Sequence, residues 1–233
     1  MPDNIIDLPE LREKTHVFQD RAHAGKVLAE MLKDFRQTDS IVLGIPAGGV
    51  PVGAVISKQL SLPFDVAVVS KITLPWNTEA GYGAIAFDGT LKLNKDMLPH
   101  LNLTEEDIQA GIKKTTEKVT QRIKKLRGKK PFPDLSQRKT ILVDDGLASS
   151  FTMNAAVEAI KKAGASQIIV AAPTGHRMSV EWIAKNVEAL YCPNIRSGWS
   201  FAVADAYQLW SDVTDEEVIK SLEELWKKGT KES

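Results

Sequence analysis

Four short segments with almost no polar face restrict the fold of this chain more than anything else in it: IVLGI at 41–45, FDVAVVSK at 64–71, KTILVDD at 139–145 and QIIVAAP at 167–173. A strand that is apolar on both sides must be covered on both sides, which is the situation of a parallel sheet lying between helices. The intervals carry helical spacing. Val27, Leu28, Met31, Leu32 and Phe35 predict a helix within 17–35, and a shorter one is expected over 54–60. Further helices are expected over 152–162, ended by Gly164, and over 179–186, followed by a short strand in VEALYC at 187–192. Alternating strands and helices imply right-handed crossovers and an α/β fold. In such sheets ligands sit at the carboxyl ends of the strands.

The 233 residues suit a single unit, with a core over about 38–195 and an appendage from the N-terminal segment and about 195–233. Lysine plus arginine equals aspartate plus glutamate at 30 each, which argues against a protein that coats nucleic acid. The single Cys192 excludes an internal disulfide, and the start MPDNIIDLPE lacks the segments of a signal peptide, so a cytoplasmic location is expected. The longest uncharged stretch, 41–56, contains two prolines and four glycines and is too short to span a membrane.

Asp88 and Gly89 stand between two alternating runs, a hairpin signal, and ITLPWNTEAG before them is expected to be a long loop. Thr104 with Asp107 and Thr214 with Glu217 form capping-box patterns. The first opens a helix striped by Ile108, Ile112, Val119, Ile123 and Leu126; the second opens a helix carrying Val218, Leu222, Leu225 and Trp226. The run QRIKKLRGKK, at 121–130, has six cations in ten positions without interleaved aromatics. It is expected to be a solvated face, with steering of polyanions as its functional alternative and nucleic-acid binding disfavoured.

Asp144 and Asp145 end a buried strand, and carboxylates at the edge of a core must be hydrogen-bonded, metal-bound or neutralised. GIPAGGVPVG supplies neither a dinucleotide fingerprint nor a P-loop, since Val50 follows Gly49 where a lysine would be required. A receiver domain would need another aspartate on the second strand downstream, where VEALYCPN has none. The four histidines are scattered, and no nucleophile elbow is present. GLASSFT, by contrast, offers backbone N–H groups, three hydroxyls and the positive end of a helix, which fits a phosphate monoester beside a sugar diol held by the acids. The plainer reading makes Ser150 or Thr152 an N-cap and Asp145 a turn former, which leaves two tandem carboxylates unexplained.

Residues 140–152 resemble the phosphoribosyl diphosphate (PRPP) motif of type I phosphoribosyltransferases: apolar residues, two acids, then a loop rich in glycine and threonine. GIPAGGVPVG, VVSKITLPWNTEAGYGAIAFDG and SDVTDEEV extend the likeness to most of 15–225, toward members whose substrate is unassigned. The resemblance implies a parallel sheet flanked by helices, a small hood, and a lid built from a β-hairpin and a flexible loop that includes Trp76 and Glu79. It implies that Asp144 and Asp145 contact the ribose hydroxyls, and Mg2+ directly or through them. Gly146, Leu147, Ala148, Ser149, Ser150, Phe151 and Thr152 would cradle the 5-phosphate. Ala47, Gly48, Gly49 and Lys71 would bind the pyrophosphate, Lys71 from the end of its strand. The implied partners are PRPP and a nitrogenous acceptor, with a homodimer as the candidate assembly. Trp199, Phe201, Tyr207 and Trp210 are expected to form the core of the hood, with stacking on a base as the alternative. Relatives usually carry arginine at position 47 and a glycine within the loop where this chain has Ser150. Those departures motivate the alternative of a protein that binds PRPP or a nucleotide without turning it over.

Overall fold

A computed structural model describes residues 2–229, apart from the side chains at 78, 79, 228 and 229. The elements in chain order are β1 (Ile5–Ile6), α1 (Arg21–Met31), β2 (Ile41–Gly44), α2 (Gly49–Leu60), β3 (Phe64–Val66), β4 (Val69–Leu74), β5 (Asn77–Ala86) and β6 (Leu91–Leu93). They continue with α3 (Glu105–Arg127), β7 (Lys139–Val143), α4 (Phe151–Lys162), β8 (Gln167–Ala171), β9 (Thr174–His176), α5 (Arg177–Ala184), β10 (Ala189–Tyr191), β11 (Asn194–Arg196) and α6 (Asp215–Gly229).

The expected α/β architecture is present. Six strands form one sheet in the order β1-β10-β8-β7-β2-β3, and every pairing in it is parallel. Alternate residues of each strand feed opposite faces. Leu43, Leu142 and Val170 pack with Met153, Ala156 and Ile160 of α4 and with Val180 and Ile183 of α5. Val42, Ile141 and Ile169 pack on the other side with Leu28 of α1, Val52 and Ile56 of α2, and Val218 and Leu222 of α6. Both capping boxes form, Thr104 with Asp107 and Thr214 with Glu217, and Gly89 turns its hairpin at φ +85°.

Three boundaries differ from the sequence expectation. FDVAVVSK is not one strand. Phe64–Val66 closes the parallel sheet, and from Val69 the chain pairs antiparallel with β5 instead. Both halves are apolar, so nothing local marks the break. ITLPWNTEAG, expected as a loop, is the hairpin joining β4 to β5, with Leu74 opposite Asn77. Its proline and asparagine mark a turn of two residues rather than a long connection. Finally, α2 begins at Gly49, so the PAGG turn is itself the helix N-terminus.

The N-terminal segment and residues 203–209 form a small layer beyond the sheet edge. His16 and Phe18 donate to the carbonyls of Asp205 and Ala206, and Gln208 and Leu209 donate back to Phe18 and Gln19. Phe18, Ala24, Ala206 and Tyr207 make its buried centre. Trp199 is fully exposed and Phe201 rests edge-on to His176, so the four aromatics expected as one hood core are split. Helix α6 packs with α2 and α3 on the sheet.

The basic run is a solvated face only in part: Lys124, Lys125, Lys129 and Lys130 are exposed, whereas the two arginines are taken into the fold. Arg127 is buried in an ion pair with Asp65 and donates to the carbonyl of Pro131. Arg122 and Lys125 bind Asp215 at the start of α6, and the Lys130 ammonium stands 3.6 Å from the Trp226 ring centre. The sequence pattern does not show the roles of the two arginines because the acids that pair with them are 62 and 93 positions away.

Candidate active site

β2 and β7 are neighbours, Gly44 pairs with Val143, and the Ile45 N–H donates to the Val143 carbonyl at 2.8 Å. Both chains therefore leave the sheet at the same level. One becomes the turn 46–49, in which the Pro46–Ala47 peptide is cis, and runs into α2. The other becomes Asp144, Asp145 and the loop into α4. The turn lies directly on the acids: a methyl group built on Gly48 would stand 1.8 Å from Asp145 Oδ2, so any side chain there would displace the carboxylate. On the far side, Gly146 lies against Val203 of the hood, with no room for a Cβ.

Both helix N-termini are open. Among the described residues the N–H groups of Ala47 and Gly48 have no acceptor, whereas Gly49 donates to Ile45 and Val50 to Ala47. The N–H groups from Ala148 to Met153 likewise have no acceptor, the first bond of α4 running from Asn154 to Ser150. Leu147 is taken up by the fold: its side chain is buried and its N–H donates to the Thr174 carbonyl. Two anion-receptive helix ends thus flank the acid pair.

Burial, and then the charge of Asp145, hold the Asp144 carboxyl well above the usual carboxylate range. Asp144 Oδ1 accepts the Asp145 N–H at 2.9 Å. Asp145 is also raised by burial, an effect opposed by Arg21, whose Nε lies 2.9 Å from Asp145 Oδ2. The Arg21 guanidinium donates to the Ser211 carbonyl at 2.8 Å and stacks 3.8 Å from the Trp210 ring centre. Tyr207, its hydroxyl raised by burial, donates to the Asp145 carbonyl at 2.6 Å. Arg21 and Trp210 also border a cleft of about 780 Å³ between the start of α1, residues 208–213 and α6.

Ser150 occupies the N-cap position of α4 but makes no capping hydrogen bond, and its φ of −84° is open to any residue. Lys71 is not at the carboxyl edge of the parallel sheet. It is the third residue of β4, in the antiparallel arm, beside a cleft shared with Lys114 and Lys118 that neither acid nor the PAGG turn lines. The chain leaves the parallel sheet after Val66, before it reaches Lys71. Trp76 is exposed at the tip of that arm, and the side chain of Glu79 lies outside the described residues. Sequence reasoning missed Arg21 altogether; it noticed Tyr207 and Arg122 but not their contacts with the site, the Tyr207 bond to Asp145 and the reach of Arg122 from α3 to donate to the Pro46 carbonyl at 3.2 Å. Tyr207 had a visible signal in its aromatic neighbourhood and Arg122 in the basic run around it; Arg21 had none.

Among the described residues no three His, Cys, Asp or Glu side chains cluster as a metal site. The oxygen donors at the edge are Asp144 and Asp145, the second already engaged by Arg21. That set fits a magnesium ion completed by ligand phosphates, and does not fit one held by the protein alone.

A phosphoribosyl transferase domain model matches residues 88–206, just over half of the chain. A Mycobacterium tuberculosis protein with a provisional phosphoribosyl transferase name, found in two strains, is 32% identical over 207 residues. That alignment covers 89% of this chain and 46% of the relative, so the chain spans about half the length of the curated relatives it matches. The crystal structure of TT1426 from Thermus thermophilus superposes with a TM-score of 0.71 at 30% identity, covering 89% of this chain and 98% of that one. The acid pair and the loop into α4 lie inside the matched segment, and the chain belongs to the phosphoribosyl transferase family.

Proposed function

We propose that the protein transfers the phosphoribosyl group of PRPP to a nitrogenous acceptor, releasing pyrophosphate. Two open helix N-termini on either side of a tandem acid pair carry this reading, because PRPP presents a phosphate, a vicinal diol and a diphosphate in that order. The amides of 148–153 and the hydroxyls of Ser149, Ser150 and Thr152 receive the 5-phosphate. Asp144 and Asp145 accept hydrogen bonds from the ribose hydroxyls. The amides of Ala47 and Gly48 receive the diphosphate, and Lys71 adds positive charge if its arm closes over the site with Trp76 and Glu79. Magnesium supplies charge neutralisation to the departing diphosphate when bound. The chain itself orients the anomeric carbon toward the acceptor and keeps water away from a cationic sugar; no side chain need take a proton in the bond-breaking step.

Pyrophosphate release with PRPP, Mg2+ and a panel of nitrogenous bases tests the assignment. Turnover with one of them is expected. Tight PRPP binding with no turnover on any would instead identify a protein that senses the activated sugar, and absence of PRPP binding would sink both readings.

Ser150→Ala separates ligand contact from capping. A true N-cap hydroxyl contributes roughly 0.5–2 kcal/mol, but this one makes no capping bond, so the melting temperature is expected to stay put. PRPP affinity should fall about 2- to 12-fold, the equivalent of about 0.5–1.5 kcal/mol for one hydrogen bond. A lower melting temperature with unchanged affinity would return Ser150 to a structural role.

A further inference from the structure

Resting on the phosphoribosyl reading of the acid pair, we propose that Arg21 is a positioning residue of this site: it fixes the Asp145 carboxylate for the sugar hydroxyls and thereby makes ligand affinity depend on docking of the hood. Arg21, Trp210 and Ser211 all lie outside the segment that matches the family, 88–206. Arg21 is also badly placed for its own helix. It is the first residue of α1, directly after the N-cap Asp20, where a cation meets the positive end of the helix dipole. Its position therefore answers to something other than helix stability.

Three contacts hold the guanidinium: the Asp145 carboxylate, the Ser211 carbonyl and the face of Trp210. The side chains of Arg21 and Asp145 are only 11% and 15% exposed. Contact through Nε alone uses one carboxylate oxygen and leaves Oδ1 with free lone pairs, so Arg21 orients Asp145 without consuming it. Asp145 is gripped a second time through its main chain by the Tyr207 hydroxyl, and Tyr207 is joined by a β-bridge to Phe18, three residues before Arg21. Side chain and backbone of one acid are thus set by two residues of the hood. An arginine that merely blocked the site until ligand arrived would not be stacked, hydrogen-bonded and ion-paired at once.

The test uses the full chain with Arg21→Met, Arg21→Lys, Asp145→Asn and the double variant Arg21→Met/Asp145→Asn. Amide hydrogen exchange of residues 203–211 without ligand reports hood docking. Each single variant to Met or Asn is expected to speed exchange there by about tenfold, the scale on which a charge-assisted contact acts, with the double variant no faster than the faster single one. Calorimetry with PRPP and Mg2+ should show about tenfold weaker binding for Arg21→Met and a partial recovery for Arg21→Lys, which keeps the charge but not the planar fork. Tighter PRPP binding by Arg21→Met would make the arginine a competitor and overturn the proposal, as would wild-type exchange in that variant, additive effects in the double variant, or unchanged affinity. If Arg21→Met does not fold, wild-type exchange and affinity in Arg21→Lys overturn it equally. Coupled exchange in a wild-type chain that binds no PRPP would remove the phosphoribosyl reading while leaving the Arg21–Asp145 link to the hood in place.

Discussion

Converting both acids to amides, Asp144→Asn with Asp145→Asn, is expected to abolish the thermal stabilisation that PRPP and Mg2+ give the wild-type chain. At a free ligand concentration of 100 times Kd that stabilisation amounts to about 2.7 kcal/mol, or about 5–10 °C in melting temperature for a chain of this size. The effect is large because both carboxylates proposed to meet the diol are removed at once. In the ligand-free chain the substitutions act in opposite directions. Asparagine at 144 removes a buried carboxyl raised by burial and by its neighbour, whereas asparagine at 145 leaves the Arg21 guanidinium without its anion. The baseline melting temperature should therefore move less than the ligand shift does. A double variant that retains the full PRPP-induced shift, measured by differential scanning fluorimetry, would show that the acids hold no ligand.

Arg127→Met has the largest expected effect on stability. Arg127 and Asp65 are 3% and 4% exposed and form an ion pair beneath α3. Breaking such a pair from one side strands a buried charge and costs about 3–5 kcal/mol, or about 6–20 °C in melting temperature. Burial already raises Asp65 above the usual carboxylate range, against the pull of Arg127, and losing Arg127 raises it further. A carboxyl whose folded-state pKa is raised favours the fold when protonated, so the variant's deficit is smallest at acid pH, where Asp65 is protonated in both folded chains, and grows as pH rises through the raised folded-state values above the usual carboxylate range. The pair Asp65→Asn/Arg127→Met should recover most of the loss at neutral pH. Melting curves between pH 4 and 8 decide this; a deficit independent of pH and not relieved by Asp65→Asn would show that Arg127 acts through packing on Phe132 and not through charge.

What was legible in the sequence was what neighbouring residues settle among themselves. The parallel strands at 41–44, 139–143 and 167–171 could be read because residues apolar on both faces admit few other environments. The capping boxes and the turn at Gly89 could be read because their hydrogen bonds close within four residues. The break between β3 and β4 and the start of α2 were misplaced for the converse reason. Whether Val69 continues the parallel sheet or pairs with Ala86 depends on a partner 17 residues later, and the local pattern is the same either way.

The candidate site divides along the same line. Asp144, Asp145 and the hydroxyl-rich loop announced themselves, since tandem carboxylates at the end of a buried strand have a cost that local structure does not offset. The sequence by itself determined a doubly covered parallel sheet and an acid pair at its edge, because strand burial and the expense of buried charge are properties of short stretches. Only the tertiary structure decided that Gly48 lies against Asp145, that Arg21 and Tyr207 hold that acid from the hood, and that Arg127 neutralises Asp65. Those contacts join residues from 62 to 124 positions apart, and at such separations charge and shape find their partners only once the sheet has brought the strand ends together.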